Sequence, residues 1–336
     1  MSIRDIAADV DRWRGEGEDV ALATVVRTWG SGPRGAGAKM AMTRDARIAG
    51  SVSGGCVESA VVEQGREVLE TGKPKLLRFG VTDETAWNVG LSCGGTIEVF
   101  VETLTDAVYG ALRSALEEER AVAKATVIKG EPLGRTLVVD DDTSTSDESA
   151  MAEAARRALD AGRSEQVALD DVEVFIDVEL PPPVLVMVGG VHVAVALTSM
   201  ADALGYRTII VDPRGVFGSE ERFPHAGEII REWPDKALKK LAINRSTAIA
   251  TLTHDPKLDD PALEVALPSQ AFYVGALGSK RTQEKRRRRL VERGLTEDEL
   301  ARLHAPIGLP LGSRSPEEIA LSVMAQIVAT RNGVTS

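Results

Sequence analysis

Cys56 and Cys93 are the only cysteines in the chain, and each touches a pair of glycines. Cys56 follows Gly54-Gly55 in the stretch GSVSGGCVESAVVE, and Cys93 precedes Gly94-Gly95 in GLSCGG. A thiolate is a nucleophile, a sulfur carrier and a ligand for soft metals, and it forms most readily where positive charge or partial charge faces it. The residues around Cys56 predict such a place. An apolar run over residues 47–52 leads to Ser53, the two glycines and the cysteine. A helical pattern follows over residues 57–70, with Val57, Ala60, Val61 and Val62 apolar. A strand, a glycine turn and a helix set Cys56 near a helix N-terminus, where unpaired backbone N–H groups favour anions. The glycines let a ligand reach the main chain with no Cβ in the way. A buried cysteine beside a tight turn is the plainer reading of the same residues.

A third glycine-rich loop, WGSGPRGAG, runs over Trp29–Gly37 and carries Arg34. Three such loops within the first hundred residues predict one cleft edged by backbone N–H groups and suited to a phosphate-bearing ligand. Hairpin turns alone account well for the Trp29–Gly37 loop and less well for the two Cys–Gly clusters.

Composition narrows the function further. The chain has 336 residues, enough for two domains, with 43% hydrophobic and only 4% aromatic residues. A net charge of −11 argues against nucleic acid or an anionic membrane surface as the main partner. Two cysteines cannot build a secreted disulfide framework or supply four thiolates to an iron–sulfur cluster. No HExxH or clustered Cys/His spacing points to a structural metal. No signal-like segment opens the sequence, and the longest apolar run, residues 184–197, is broken by Gly189, Gly190 and His192. A cytoplasmic protein is expected.

The elements that must position the cysteines read as a mixed α/β module. Helices are predicted over residues 2–14, 57–70, 106–119 and 151–161. Strands are predicted over 21–28, 39–43, 47–52, 75–79, 96–102, 121–128, 135–139, 166–169 and 172–178. The acidic stretch 140–148 reads as a solvated loop. Pro181-Pro182-Pro183 reads as a stiff linker and places a domain boundary there, giving domains 1–180 and 181–336.

Beyond the prolines, strands alternate with helices. Val184–Val188 is entirely apolar, as buried parallel strands tend to be. Strands over 207–211, 247–253 and 271–274 follow, and the alternation predicts a doubly wound parallel sheet. Ligands in such sheets bind beyond the carboxyl ends of the strands. Those ends are Gly189-Gly190-Val191-His192, Asp212-Pro213-Arg214, His254-Asp255 and Gly275–Ser279, which should share one rim. Asp212 follows Gly190 by 22 residues, near the spacing at which an acid meets a nucleotide ribose. Val191, however, falls at the second position of the glycine fingerprint, where a side chain crowds a pyrophosphate. His192 either faces a ligand or simply begins a helix. His254-Asp255 is either an acid/base pair or a turn capped before Pro256. Ser279, Lys280 and Arg281 open a basic helix, and the two cations of its first turn are placed to reach a phosphate. The remaining charges through Arg289 read as a solvated face.

The stretches ATVVRTWGSGPR, GSVSGGCVE and GLSCGGTIEVFVE resemble the N-terminal module of the XdhC/CoxI family, the xanthine dehydrogenase accessory factors. VDPR, RFP, LTHDPKLDDPAL, YVGALGSKRT, HAPIGL and RSPEEIAL resemble its C-terminal Rossmann-like module. Nearly the whole chain is covered, residues 106–183 least. The resemblance implies an N-terminal mixed α/β domain followed by a Rossmann-like doubly wound parallel sheet. It also implies a protein that binds the molybdenum cofactor, holds it while a cysteine desulfurase helps install a terminal sulfur, and inserts it into an apo molybdenum hydroxylase such as xanthine dehydrogenase. By position, Cys56 and Cys93 become the candidate cofactor or sulfur contacts. Gly54, Gly55, Gly94 and Gly95 become the surrounding backbone, with Arg34 beside them. A homodimer is expected. Two enzyme readings compete. One is an NAD(P)- or FAD-dependent oxidoreductase using a nucleotide at Gly189, Gly190, His192 and Asp212. The other is chemistry on the cofactor's nucleotide tail by His254, Asp255, Lys280 and Arg281.

Overall fold

The computed structural model describes residues 2–30, 34–80, 95–140, 149–215 and 217–334. The chain divides into two compact units, Met1–Leu180 and Pro181–Ser336. Among the described residues no helix is long and apolar enough to cross a membrane.

The first unit opens with α1 (Ile3–Gly15), whose Ile3, Ile6, Val10 and Trp13 recur at helical spacing and are all buried. Strands β1 (Ala21–Trp29), β2 (Lys39–Met42) and β3 (Ile48–Gly50) follow, then α2 (Glu58–Thr71), β4 (Lys75–Phe79) and β5 (Thr96–Thr103). These strands form an antiparallel sheet in the order β3-β2-β1-β5-β4. After α3 (Asp106–Glu117) come β6 (Val122–Lys129), β7 (Thr136–Asp140), α4 (Ala150–Ala161), β8 (Glu165–Leu169) and β9 (Val172–Glu179). Here the strands make a second antiparallel sheet, ordered β7-β6-β9-β8.

Period-two alternation along the strands decides what each face meets. Ala21, Ala23 and Val25 of β1, with Met40, Met42, Ile97, Val99 and Val101, pack on Val61 and Val68 of α2. On the other face, Val26 and Phe100 meet Ile128 and Phe175 of the second sheet. The far side of that second sheet is covered by Ala154, Ala155 and Ala158 of α4. The layer between the sheets is not wholly apolar. Buried Lys39 reaches Asp177 and Glu179 across it, and buried Lys124 pairs with Glu102.

The strand expected over residues 47–52 is shorter, ending at Gly50. Gly50 takes φ +86, and a Cβ there would stand 2.4 Å from the Lys39 carbonyl oxygen. The positive φ turns the chain out of the sheet, and the nearby carbonyl leaves room only for glycine.

In the second unit β10 (Val184–Val188), α5 (His192–Ala203), β11 (Arg207–Val211), β12 (Glu228–Ile230), α6 (Pro234–Lys240), β13 (Thr247–Thr251), α7 (Pro256–Ala266), β14 (Tyr273–Ala276), α8 (Lys280–Glu292), α9 (Glu297–Ala301), β15 (Leu303–His304) and α10 (Pro316–Arg331) alternate. The six strands form a parallel sheet ordered β12-β11-β10-β13-β14-β15. That is the doubly wound Rossmann arrangement, with the order reversing between β10 and β13. Leu185 and Met187 point to α5 and α10, while Val186 and Val188 point to α6 and α7, so both faces are covered.

Candidate functional site

Strand register places the described ends of the glycine-rich stretches of the first unit. Trp29 at the end of β1 pairs with Thr96 at the start of β5, and Phe79 at the end of β4 pairs with Ile97. Thr24 pairs with Lys39 at the start of β2, and Met40 with Gly50 at the end of β3. The described ends of these connections leave the first sheet on the same side but at two levels: Trp29 and Phe79 beside Thr96 and Ile97, and Lys39 and Gly50 further along, level with Thr24 and Phe100. Cys93 and Gly94 lie outside the described residues. Gly95 is buried, and Phe79 packs against the same core as Cys56.

Cys56 is half-buried on the turn between β3 and α2. Helix α2 begins at Glu58, so the cysteine precedes the cap residue Val57 instead of entering the first turn. The N–H groups expected to be available for an anion are already taken. The Glu58 carboxylate accepts hydrogen bonds from the backbone of Ser53 (2.9 Å), Gly54 (3.0 Å), Gly55 (2.9 Å) and Val57 (3.2 Å). It also accepts from the hydroxyls of Ser51 (2.6 Å) and Ser53 (2.5 Å). Partial burial opposes its ionisation, yet these donors outweigh burial and hold its pKa down at about 2. Gly54 and Gly55 thus do not present unpaired N–H groups to a ligand, which corrects the expectation from sequence. Their exposed outer face is open, with nothing within 4 Å of where a Cβ would stand. The result is a rigid turn that holds the Cys56 backbone, whose N–H donates to Ser53 Oγ at 3.0 Å.

Cations gather at the same end of the sheet. The guanidinium groups of Arg27 and Arg78 lie 5.3 and 5.4 Å from the ring of half-exposed Trp29. Arg34 is exposed and lines a cavity of about 500 Å³ with Lys39, Asp177 and Glu179. Lys39 Nζ lies 2.8 Å from Asp177 Oδ2 and 2.7 Å from Glu179 Oε1, and donates to the Gly37 carbonyl at 2.9 Å. Burial alone would lower the Lys39 pKa; the two carboxylates more than offset it, and the amine stays charged. Sequence reasoning misses Glu58, Lys39, Asp177 and Glu179 alike. A lone lysine among the small apolar residues of AKMAM, and two acids at alternate positions in FIDVEL, are the available signals.

The rim of the second unit assembles as expected. Val188 pairs with Val211 and with Thr251, and Thr251 with Ala276, so the four loops leave one edge. The chemistry there is more self-contained. Asp212 is fully buried, and its carboxylate accepts from the Gly190 N–H (2.9 Å), the Arg214 N–H (2.9 Å) and the Arg214 guanidinium (2.9 and 2.8 Å). Burial opposes its ionisation, but those donors lower its pKa. The Phe217 carbonyl oxygen lies over the glycine turn, 2.0 Å from where a Cβ on Gly190 would be. The Arg214 guanidinium stacks 4.2 Å from the Phe217 ring. A nucleotide would have to displace Arg214 to reach Asp212. Gly189 stands against Thr253, and His192 is exposed at the first position of α5.

His254 is exposed with φ +59, an uncommon conformation for a side-chain-bearing residue. Asp255 caps α7, accepting from the Lys257 N–H at 2.9 Å. Ser279 caps α8, with Lys280 and Arg281 exposed in its first turn. Arg286 is not on a solvated face. It is buried and donates to Asp259 Oδ2 at 2.8 Å, while Arg289 holds Asp260 at 2.5 Å, joining α8 to α7.

Two family models match the chain. Residues 13–80 match the XdhC and CoxI family, and residues 185–327 match the XdhC Rossmann domain. A protein of Bacillus subtilis (strain 168) named as a probable xanthine dehydrogenase subunit is 28% identical over 324 residues, covering 94% of each chain. "Molybdenum cofactor insertion chaperone PaoD" of Escherichia coli (strain K12) is 29% identical over 318 residues, covering 94% of this chain and 84% of that one. A crystal structure called a xanthine dehydrogenase from Bacillus halodurans superposes with a TM-score of 0.64 at 25% identity, over 100% of this chain and 97% of that one.

Proposed function

The chain belongs to the XdhC/CoxI family, and from that premise we propose that it binds the molybdenum cofactor and inserts it into an apo molybdenum hydroxylase. The observation that carries the reading is the half-buried Cys56 thiol, held on a rigid glycine turn that follows β3. The cargo is a pyranopterin dithiolene with a phosphate or nucleotide tail. Its sulfurs and metal are soft partners for a thiol, and its tail suits the cations Arg27, Arg34 and Arg78. The turn locked by Glu58 keeps the thiol in one place, with the open face of Gly54 and Gly55 next to it. Cys56 and Cys93 are the proposed contacts to the metal or to a sulfur in transit. A cysteine desulfurase as the sulfur source, and a homodimer as the working unit, belong to the same proposal. The protein would protect and hand over its cargo and would not turn over a substrate.

A nicotinamide-dependent oxidoreductase is the weaker reading, because Arg214 and Phe217 already fill the turn that a dinucleotide requires. The test is transfer. Purified chain from molybdenum-replete cells, analysed by mass spectrometry, is expected to carry a pterin and to activate an apo hydroxylase. Chain that carries none, and leaves the apoenzyme inactive when supplied with cofactor, would overturn the proposal.

A further inference from the structure

A cargo at one end of the first sheet still needs a group that holds its pterin. Resting on the proposed function, we propose that the cavity lined by Arg34, Gly37, Lys39, Ser164, Asp177 and Glu179 takes the aminopyrimidinone edge of the pterin, with Asp177 and Glu179 accepting its N–H groups.

Three observations carry this. The first is the state of the two carboxylates. Asp177 and Glu179 are 3% and 8% exposed, and each commits one oxygen, Oδ2 and Oε1, to Lys39. Glu179 Oε1 also accepts the N–H of Ile3 at 3.0 Å. Among the described residues, the other oxygens, Asp177 Oδ1 and Glu179 Oε2, accept no hydrogen bond, although both residues line the cavity. These two oxygens open onto the cavity and are not sealed in the interior, so they stand ready to accept from a ligand that brings N–H or O–H groups.

The second is charge. The lining carries the carboxylates of Asp5, Asp177 and Glu179 against the cations of Lys39 and Arg34, a net charge of one negative. That repels a phosphate from the interior and favours a donor-rich neutral or cationic group. A metal ion is not indicated, since among the described residues no group of three or more His, Cys, Asp or Glu is placed to hold one. Arg34, exposed at the mouth, leaves an anion-compatible position outside the acidic floor for the cargo's phosphate.

The third is size and place. The site is a shallow, open depression of about 500 Å³, wide enough for one edge of a small ring system. It opens where β2 starts, and the Ser51 N–H donates to the Lys39 carbonyl at 3.0 Å, so the turn that carries Cys56 begins beside it. Cys56 packs on the α2 face of the sheet and Lys39 on the other, at the same end. A ligand reaching around that end would present its ring to the carboxylates and its sulfurs towards the thiol.

Guanine carries the same donor edge, so the test uses both sources. The full chain is titrated with hydroxymethylpterin, followed by pterin fluorescence, with GMP and CMP as competitors. Wild-type protein is expected to bind the pterin, GMP to compete more weakly, and CMP not at all. Asp177→Asn is expected to bind at least tenfold more weakly. Ala36→Trp, at an exposed lining position that leaves the charged trio intact, is expected to do the same. Circular dichroism and thermal melts establish that both variants are folded. Wild-type affinity in both folded variants would overturn the proposal, as would no pterin binding by wild type or tighter binding of GMP than of pterin. Molybdenum-cofactor binding that Asp177→Asn leaves unchanged would overturn this inference and leave the proposed function standing. Pterin binding without cofactor binding would support it and remove that function.

Discussion

At the scale of single residues, Glu58 decides how the Cys56 turn works. A carboxylate that receives six hydrogen bonds, two from hydroxyls and four from backbone N–H groups, occupies what a glycine turn would otherwise offer to an outside anion. Glu58→Gln places an amide donor among donors and is expected to cost about 1–3 kcal/mol, measured by urea unfolding at neutral pH. The pH dependence has a definite sign. The Glu58 pKa is lowered from 4.5 to about 2 on folding, so its contribution is complete above the ordinary carboxylate value and is lost as pH falls towards about 2. Between about pH 4.5 and 2, wild-type stability should therefore fall more steeply than that of Glu58→Gln. Parallel slopes over that window would show that the carboxylate is not held as described. A sequence pattern reveals a turn of this kind only as Ser, Gly, Gly and Glu in proximity. It does not reveal that the acid bends back to fill the turn.

At the scale of elements, the layer between the two antiparallel sheets is pinned by buried charge. Lys39→Met would leave Asp177 and Glu179 buried together without their cation, and a loss of about 3–5 kcal/mol is expected. The loss should be larger at about pH 8 than at about pH 5, because protonation relieves two neighbouring carboxylates once the ammonium is gone. A chemical-denaturation series at the two pH values checks it, and equal losses would contradict it. Such pairs hide from a sequence reading because Lys39 and Glu179 stand 140 residues apart. Local patterns are easier to read. Val184–Val188 and Arg207–Val211 declare themselves as apolar runs between turn residues, and both strands form where the pattern puts them. Helix α7 is harder: Pro256 suits its first position, but Pro261 lies inside it, where proline normally argues against a helix. The three-residue β12 and two-residue β15 are too short to carry a period of their own and exist because a neighbouring parallel strand pairs with them. Among the basic residues of α8, only packing against α7 separates buried Arg286 from its exposed neighbours.

At the scale of the whole molecule, a unit of two stacked antiparallel sheets precedes a doubly wound parallel one, and the candidate chemistry of each gathers at one end of its sheet. The rim of the second unit has the order of strands that binds nucleotides in many proteins, but its Asp212 is satisfied from within by Gly190 and Arg214. Calorimetric titration with NAD⁺ or NADP⁺ is expected to show no saturation below about 1 mM, a free energy of about −4 kcal/mol. Micromolar binding would mean that Arg214 and Phe217 move aside easily and would restore the oxidoreductase reading. On the proposed function, the thiol on the Glu58-locked turn of the first unit is the group that would receive a molybdenum-bearing pterin. The most direct test of that role is anaerobic equilibrium binding of the molybdenum cofactor to the full chain, wild type against Cys56→Ala. Cofactor retained by wild type and held about tenfold more weakly by the variant is the predicted result; equal retention by the two, or none by wild type, would contradict it.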